Sequence, residues 1–458
     1  MSKKKPSKIV HSVRYLAMEI LDAVEVEGAY SNILLNATIE KEQLSPADTG
    51  LLTELVYGVI QRKLTLDFYM KPFVRKPQKM ESWVINLLRL SIYQIVYLDK
   101  IPDHAIFYDA VEIAKYKGHQ GIAKLVNAIL RNFQRKGWQD WQTIENPIER
   151  LSIGASVPEW LVKKFTTDFG AEKAENVLLS LQHSPYLAIR LHDASKRSEI
   201  IAGLKEEGIE TEESPISPNG LRVVKGKITN SSFFKNGDVT IQDESSQLVA
   251  LFGKLRESDQ VLDACAAPGG KTVHMASYLK DGHVHALDIH DHKIGLIEEN
   301  AKRMNVSDRV QTYLLDAKEA DRKFDAQAFD VVFVDAPCSG LGLMRRKPEI
   351  KYGVTATTIN DLQKEQLNIL NTVEKLVKTG GRLVYSTCTL AKEENREVIE
   401  TFLTHYPNYR VLAANQSGTA SKNVAVPEQI VTSEGYIQIF PDDFGTDGFF
   451  ICVMEKQD

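Results

Sequence analysis

Residues 260–272 have the sequence QVLDACAAPGGKT, from which the fold of the second half of the chain can be worked out. Residues 260–263 form a short apolar segment typical of a buried strand, and a helical apolar pattern begins at Lys271. The small residues between them allow a ligand to approach the backbone closely, and a helix start offers free N–H donors. The stretch therefore predicts a strand, a ligand-binding turn and a helix.

Strand and helix patterns alternate from about residue 240 to the end of the chain. The predicted strands are 260–263, 284–288, 310–315, 329–335, 382–386 and 449–454, and the predicted helices are 271–279, 293–304, 357–377 and 393–402. Strands separated by helices imply right-handed crossovers and a parallel, doubly wound sheet. Ligands of such sheets bind beyond the carboxyl ends of the strands.

The first half of the chain has different patterns. Residues 10 to about 137 have helical periodicity throughout, most clearly at 48–62, 81–98, 106–116 and 121–136, and a second helical stretch covers 144–184. A small α+β pattern follows, with strands at 186–191 and 221–224 and a helix at 196–208. We therefore predict a helical domain over 1–140, a helical linker with a small α+β domain over 141–238, and an α/β domain over 239–458.

Composition limits the class of protein. The chain has 458 residues, of which 43% are hydrophobic and 26% charged, which is typical of a globular protein of about three domains. Its four cysteines form no C-x-x-C pair, so we expect no disulfide framework and no metal site. No signal peptide or membrane-spanning segment is predicted. We expect a cytoplasmic monomer.

Charge is unevenly distributed along the chain. Residues 1–150 contain 21 Lys and Arg against 17 Asp and Glu, a net charge of +4, so the remainder carries −9. A basic front end is weak evidence for a polyanionic partner, and an ordinary fluctuation of surface charge explains it equally well. The basic residues of the predicted helix at 121–136 are the candidates for binding a polyanion: Lys124, Arg131, Arg135 and Lys136.

Three acids follow predicted strands: Asp288, Asp316 and Asp335. A carboxylate after the second strand can hold ribose hydroxyls, and another can accept an adenine amino proton. The GGKT ending at Thr272 suggests a phosphate-binding loop, but Cys265 stands where such a loop requires glycine. A ligand with an adenosine end, a sulfonium and no phosphates suits this set of residues.

Two cysteines lie directly after predicted strands, in DAPCSGLG (335–342) and in YSTCT (385–389). Most cysteines are small buried hydrophobic residues, and this interpretation suits Cys265 and Cys452. Cys338 and Cys388 instead fall in polar loops at the predicted ligand edge. A thiol in such a place can be a nucleophile of lowered pKa.

The motifs DACAAPGGKT, DAPCSGLG and YSTCT together resemble the RNA cytosine-C5 methyltransferases that use S-adenosylmethionine. QDESSQ (242–247) and RRKPE (345–349) are also similar to segments of that family, and the helical front end resembles the antitermination factor NusB. A NusB-like domain joined to this methyltransferase resembles the bacterial small-subunit ribosomal RNA methyltransferases of the Sun/Fmu (RsmB) type. The implied architecture is an α/β Rossmann-like SAM-dependent methyltransferase sheet, preceded by an all-α NusB-like bundle and a small α+β domain.

The resemblance implies functions for particular residues. Cys388 is the nucleophile that adds to C6 of the cytosine, Asp335 protonates or hydrogen-bonds N3, and Cys338 takes part in product release. The implied cofactor is S-adenosylmethionine, and its binding residues are Cys265, Ala266, Ala267, Pro268, Gly269, Gly270, Lys271, Asp288, Asp316 and Asp335. The implied RNA contacts are Arg345, Arg346 and Lys347 beside the target pocket, with Arg131 and Arg135 on the front domain. The implied substrate is 16S ribosomal RNA at cytosine 967.

Other functions remain open on the sequence alone. The NusB-like front end is also compatible with an RNA-binding, antitermination-type adaptor whose methyltransferase half is inactive, although the presence of Cys338, Cys388 and Asp335 argues against it. A methyltransferase of proteins or small molecules is a third possibility, which the RNA-type front end opposes. Residues 412–438 match no known motif and are predicted to form a loop-rich insertion.

Overall fold

The computed structural model describes residues 8–414 and 427–458. The chain divides into two compact units. The helical unit comprises Met1–His183 and Met344–Gly353, and the sheet unit comprises Ser184–Leu343 and Val354–Asp458. The predicted boundaries at residues 140 and 238 divide the chain more finely and stay predictions.

The helical unit is built of helices, and those between residues 13 and 136 share one apolar core. Its longer helices are α1 (Val13–Glu27), α2 (Ser31–Glu42), α3 (Pro46–Gln61), α4 (Lys63–Met70), α5 (Ser82–Tyr97), α6 (Asp103–Lys117), α7 (Gln120–Lys136), α8 (Pro147–Ala155), α9 (Glu159–Phe169) and α10 (Ala171–Ser180). The prediction of an all-helical front end is confirmed. Helix α5 is central, because Trp83 and every residue from there to Gln94 is buried.

A short segment from the second half of the chain completes the helical unit. Residues Met344–Gly353 belong to it and include the one-turn helix α16 (Ile350–Gly353). Lys351 is fully buried, and its Nζ donates to the backbone oxygen of Gln61 at 2.8 Å and to Gln61 Oε1 at 3.1 Å. Ser31 Oγ donates to Glu349 Oε2 at 3.0 Å. This segment therefore contributes buried polar contacts to the unit and not only chain length.

The sheet unit begins with a small antiparallel sheet. Its strands are β1 (Leu187–Leu191), β2 (Glu210–Glu213), β3 (Gly220–Lys225) and β4 (Val239–Ile241), in the order β2–β3–β1–β4. Helices α11 (Arg197–Glu206) and α12 (Ser232–Lys235) accompany it. The predicted small α+β pattern is present, and the sequence did not identify β2 or β4. β2 reads ETEE, and such charged residues give no apolar alternation.

The large sheet has eight strands in the order β10–β12–β9–β8–β5–β6–β7, with β11 paired to β12. The strands are β5 (Gln260–Asp263), β6 (His283–Asp288), β7 (Val310–Leu314), β8 (Phe329–Asp335), β9 (Val377–Thr387), β10 (Tyr409–Val411), β11 (Ile437–Ile439) and β12 (Phe449–Lys456). Its helices are α13 (Glu244–Phe252), α14 (Gly270–Ala276), α15 (Asp291–Arg303), α17 (Ala356–Val373), α18 (Arg396–His405) and α19 (Pro441–Phe444).

The parallel pairing predicted for the large sheet holds only for part of it. All pairings among strands β5 to β9 are parallel. Strand β12, by contrast, pairs antiparallel with β9, β10 and β11. The sheet is therefore mixed, and the prediction of a wholly parallel sheet is wrong for its last strand. β12 follows β11 in the chain and pairs antiparallel with it, so the chain enters β12 at the edge where β11 ends.

The predicted insertion at 412–438 lies partly outside the described residues, because the description stops at Ala414 and resumes at residue 427. Within the described part, β11 adds a short antiparallel strand to β12. No helix of sufficient length and apolarity to span a membrane occurs in residues 8–414 and 427–458.

Candidate active site

The predicted acids lie at one edge of the large sheet. Asp263, Asp288 and Asp335 are the last residues of the parallel strands β5, β6 and β8, and Asp316 follows the end of β7 by two residues. Parallel strands end at the same edge, so the four carboxylates share it. Cys338 and Cys388 follow β8 and β9, which are adjacent in the sheet.

The turn between β5 and α14 has a fixed backbone path. Gly269 has a φ of 97° and directly precedes α14. Its N–H donates to the Ala266 oxygen at 2.8 Å, and Asn300 Nδ2 donates to the Pro268 oxygen at 2.8 Å. A Cβ at Gly269 would lie 3.0 Å from the Cα of Ile297 on α15. Glycine is therefore required at this position by both backbone conformation and the closeness of α15.

Asp263 is buried beneath this turn. Thr272 Oγ1 donates to its Oδ2 at 2.7 Å. Burial raises the pKa of Asp263 to about 7, and the negative charge of Asp335 adds to the rise, while the Thr272 hydrogen bond opposes it. The carboxyl of Asp263 therefore titrates near neutral pH, and its hydrogen bond with Thr272 connects the end of β5 to α14.

Asp288 and Asp316 fit the binding of an adenosine group. Each uses Oδ1 to accept a backbone N–H two residues on, from His290 at 3.0 Å and from Lys318 at 2.9 Å. Asp288 Oδ2 accepts no hydrogen bond from residues 8–414 or 427–458. These contacts orient each carboxylate; Asp288 Oδ2 stays available to a ligand, whereas Asp316 Oδ2 also lies 3.5 Å from Lys318 Nζ. The donor–acceptor chemistry therefore suits hydroxyls and an amino group, as the cofactor requires.

Asp335 is the centre of a polar cluster. Lys271 Nζ donates to its Oδ2 at 2.7 Å, and Ser386 Oγ donates to its Oδ1 at 2.7 Å. Burial alone would lower the pKa of Lys271, but the charges of Asp335 and then of Cys388 outweigh it and hold that pKa above its usual value. Lys271 is therefore a protonated donor, and Asp335 accepts on both oxygens. The arrangement does not favour the predicted role of Asp335 as a proton donor.

The two loop cysteines lie in contact, with 3.3 Å between Cys338 Sγ and Cys388 Sγ. The hydrogen bond to Cys388 raises the pKa of Cys338 well above that of an ordinary thiol, and burial, the charge of Cys388 and the charge of Glu394 add to the effect. Cys338 is thus held as the protonated member of the pair. The charge of Lys271 acts on the other sulfur, Cys388.

The remaining cysteines have different surroundings. Burial raises the pKa of both Cys265 and Cys452, and for Cys265 the carboxylates of Asp263 and Asp335 raise it further. A thiol of raised pKa is a poor nucleophile. Cys338 and Cys388 differ from these two cysteines by their mutual contact at the carboxyl edge of the sheet, and Cys265 contributes to the turn as a small residue.

The predicted RNA-binding residues fall into two groups, both in the helical unit. Arg131 and Arg135 are exposed on α7, where Arg131 lies 4.9 Å from the ring centroid of Phe107. Arg345 is only 8% exposed, and its Nη2 donates to Ser180 Oγ at 3.2 Å. Arg346 and Lys347 are half-buried. The burial of Arg345 does not support the prediction that it meets RNA phosphates directly.

Two site residues were not identified from the sequence. Ser386 was quoted within YSTCT without a role, and the structure places its hydroxyl on Asp335. Glu394 belongs to a charged run that is typical of exposed surface, yet it is fully buried. No group of three or more His, Cys, Asp or Glu side chains suited to a metal occurs in the described part of the chain.

Three sequence families match this chain. Residues 250–455 match "16S rRNA methyltransferase RsmB/F", residues 11–135 match the NusB family, and residues 157–229 match the ferredoxin-like domain of RsmF/B-like methyltransferases. The matches follow the order of domains predicted from the sequence.

Curated relatives match over nearly the whole chain. A probable ribosomal RNA small subunit methyltransferase B of Bacillus subtilis (strain 168) is 45% identical, with 97% of this chain and 99% of the relative covered. A probable ribosomal RNA small subunit methyltransferase B of Synechocystis is 32% identical, with 97% and 99% covered.

Solved structures share the fold. The crystal structure of PH0851 has a TM-score of 0.81 and 24% identity, with 99% of this chain and 100% of that chain covered. NSun6 from Pyrococcus horikoshii with SFG has a TM-score of 0.57 and 21% identity, with 66% and 98% covered. At these identities the likeness concerns the fold. The near full-length sequence matches go further, and from them this chain belongs to the 16S rRNA methyltransferase RsmB/F family.

Proposed function

We propose that this protein transfers a methyl group from S-adenosylmethionine to C5 of a cytosine in small-subunit ribosomal RNA, with Cys388 as the nucleophile. The observation that carries the proposal is the pair of thiols 3.3 Å apart beside the Lys271–Asp335 ion pair, at the carboxyl edge of the sheet. C5 of cytosine is a poor nucleophile, and addition of a thiolate at C6 makes it enamine-like. Covalent addition thus divides one difficult step into two easier ones.

S-adenosylmethionine is the cofactor of this family, and when bound it supplies an electrophilic methyl group on a sulfonium. We propose that residues 265–271 hold its methionine and ribose part through the backbone, that Asp288 binds the ribose hydroxyls and that Asp316 accepts from the adenine amino group. The supporting observation is the orientation of both carboxylates by backbone N–H groups at the ligand edge, with Lys318 Nζ beside Asp316.

The charges around the two thiols support Cys388 as the nucleophile. The anion of Glu394 acts on Cys338 and favours its thiol, which leaves Cys388 as the other sulfur of the pair. Addition of Cys388 to C6 pushes electron density to N3 and O2 of the base. Lys271 is the protonated group nearby that can stabilise this charge, and Asp335 is the acceptor for the exocyclic amino group.

The same coupling gives Cys338 a role after methyl transfer. The contributions that raise the pKa of Cys338 include the hydrogen bond and charge of Cys388, and both disappear once that sulfur is bonded to C6. Cys338 then gives its proton to solvent more readily, and the resulting thiolate can take the proton from C5. The C5–H electron pair re-forms the C5–C6 double bond, and the C6–S bond breaks to return the Cys388 thiolate.

The RNA must reach this edge with the target base unstacked. We propose that the exposed Arg131 and Arg135 of α7 bind RNA phosphates, which their charge and exposure favour. Assignment of the target to cytosine 967 rests on the family resemblance. Such contacts would make RNA affinity depend on salt concentration, because each phosphate contact releases a counterion.

The test is transfer of labelled methyl to unmodified 16S ribosomal RNA, with the product nucleoside identified by mass spectrometry. We expect 5-methylcytidine at a single position. Binding of RNA without methylation would contradict the proposal and favour an adaptor.

The thiol variants test the roles of the two cysteines. Cys388→Ala should abolish turnover while cofactor binding persists, because the variant lacks the sulfur that adds to C6. Cys338→Ala should accumulate a covalent protein–RNA adduct on a denaturing gel, because release lacks its base. Cys452→Ala, a buried thiol within β12, is the matched control and should retain turnover. Turnover by Cys388→Ala would refute the nucleophile assignment, and absence of an adduct with Cys338→Ala would refute the release role.

A further inference from the structure

A buried acid–amide pair, Glu394 and Asn395, lies behind the two cysteine loops. The pair joins a 3-10 turn at Lys392–Glu394 to helix α18. The residues are 0% and 2% exposed. Neither is needed to bind the base or the cofactor in the scheme above, so their burial requires another explanation.

Glu394 connects the loop of Cys338 to the loop of Cys388. Its Oε1 accepts from the Ser339 backbone N–H at 2.8 Å, and its Oε2 accepts from the Ser339 hydroxyl. On the other loop, Thr389 Oγ1 donates to Oε2 at 3.1 Å. The hydroxyl oxygens of Ser339 and Thr389 lie 2.8 Å apart, side by side on this carboxylate. One carboxylate thus holds the residue after each cysteine.

Asn395 holds the Cys388 loop from both sides of the thiol. Its Oδ1 accepts from Thr387 Oγ1, and its Nδ2 donates to the Thr389 oxygen at 3.0 Å. Since Thr387 and Thr389 flank Cys388, these contacts fix the backbone on which that sulfur is carried. Tyr385 Oη also donates to the Glu394 backbone oxygen at 2.6 Å, which ties the pair to β9.

We propose that Glu394 and Asn395 are positioning residues that hold Cys338 and Cys388 at the separation needed for addition and release. The inference rests on the proposed function, in which both sulfurs act on one base. Reacting groups must be placed closely, and a displacement of about 1 Å can lower a rate by about a hundredfold.

Energetic considerations support a specific role for the carboxylate. A buried carboxylate is costly to desolvate, and Glu394 forms no ion pair with Lys or Arg in the described ranges. Its charge is stabilised by donors from Ser339 and Thr389, and by Gln366 Nε2 at 3.1 Å from Oε1. A well-packed apolar residue often stabilises a fold as well as a buried charge does. The carboxylate is distinguished by accepting four hydrogen bonds at once, from both cysteine loops and α17.

Disulfide formation by mild oxidation measures the placement of the thiols without relying on activity. Diamide takes two electrons and two protons from Cys338 and Cys388, which become a disulfide while diamide becomes the corresponding hydrazine. At 3.3 Å the sulfurs of the wild-type protein are near bonding distance, so peptide mapping should find this disulfide. Glu394→Ala should form it at least about tenfold more slowly than Glu394→Gln, because both variants lose the charge that raises the pKa of Cys338 but only the alanine variant loses the common acceptor of the loops.

Steady-state kinetics complete the test. Glu394→Ala should lower kcat about tenfold to a hundredfold while KM for RNA and cofactor affinity stay near their wild-type values. Glu394→Gln should restore much of kcat and of the disulfide rate, because its amide oxygen can still accept from Ser339 and its size is unchanged. Glu400→Ala is the matched control, since Glu400 is exposed on α18 and pairs with Arg396. It should behave as wild type.

Further outcomes separate the possible failures. If Glu394→Ala does not fold, Ser339→Ala and Thr389→Ala remove the donors instead, and each should slow disulfide formation. A wild-type disulfide rate and kcat in the Glu394→Ala or donor variants would overturn the inference. If the wild-type protein makes no 5-methylcytidine while its disulfide rate still depends on Glu394, the proposed function fails and the placement of the thiols by Glu394 stands.

Discussion

Substitution of Gly269 by alanine tests whether the turn after β5 requires its left-handed backbone. At a φ of 97°, an added Cβ costs about 1–2 kcal/mol from backbone conformation. The Cβ would also lie 3.0 Å from Cα and 3.4 Å from Cβ of Ile297, which is fully buried on α15. Crowding of this kind adds about 1–3 kcal/mol. We therefore expect the sheet unit to lose about 3 kcal/mol of stability.

Gly270→Ala is a matched control at the next position. Gly270 has no positive φ, and the nearest atom to an added Cβ is Gln242 Nε2 at 3.9 Å. As the first residue of α14, alanine here is neutral or stabilising by up to about 1 kcal/mol. Each variant adds one methyl group to the wild-type protein, at adjacent positions. The free energies of unfolding of the two variants should differ by roughly 3 kcal/mol.

The assay must report on the sheet unit. Its stability cannot be followed by tryptophan fluorescence, because Trp83, Trp138, Trp141 and Trp160 all belong to the helical unit. Hydrogen exchange of peptides spanning β5 and α14, or calorimetry, reports on it directly. At about 2–4 °C per kcal/mol, Gly269→Ala should lower the Tm of the sheet unit by roughly 6 °C or more. Equal melting of the two alanine variants would refute the reasoning.

Two predictions concern pH. Because the folded-state pKa of Asp263 is raised to about 7, the folded protein binds more protons at this carboxyl than the unfolded chain does, so its stability should fall as pH rises from about 4 to about 7, by about 4 kcal/mol in all. Urea unfolding followed by circular dichroism should show this fall in the wild-type protein and not in Asp263→Asn. An unchanged pH dependence in Asp263→Asn would contradict the assignment. Burial of Lys351 lowers its pKa well below the usual value, so stability of the helical unit should rise as pH increases toward about 10.4. Lys351→Met should flatten that rise in unfolding followed by tryptophan fluorescence, and a rise as steep as in wild type would show that another group causes it.

The positions of the acids and thiols at strand ends could be predicted from the sequence, because an apolar strand is followed there by polar residues. β5 and β8 were predicted at their observed bounds, since each is an apolar run that ends at an aspartate, Asp263 and Asp335. The contact between Cys338 and Cys388 depends on β8 and β9 being neighbours. Strand order depends on contacts between distant residues, which local periodicity does not reveal. The sequence therefore predicts that both thiols lie at one edge of the sheet, but not that they are 3.3 Å apart.

Buried polar residues were the main failure of prediction from sequence. Lys351, Arg345 and Glu394 belong to charged runs, RRKPEIK and KEEN, that have the composition of a solvated surface. Each is buried because distant residues supply its partners: Gln61 for Lys351, Ser180 for Arg345 and Ser339 for Glu394. Periodicity detects apolar faces and gives no signal for a charge whose hydrogen-bonding partners are far away in sequence.

Because Met344–Gly353 belongs to the helical unit, that unit cannot finish folding during synthesis until much of the sheet unit has been made. Residues up to His183 emerge from the ribosome first, and about 160 residues of the sheet unit are made before Lys351 and Tyr352. At 5–20 residues per second, the helical unit lacks this segment for on the order of ten seconds or more. During that time the backbone oxygens of Ile60 and Gln61 have no side chain from this segment to bind. No single cut of the chain can separate the two units, and synthesis of the helical unit ends only when most of the sheet unit already exists.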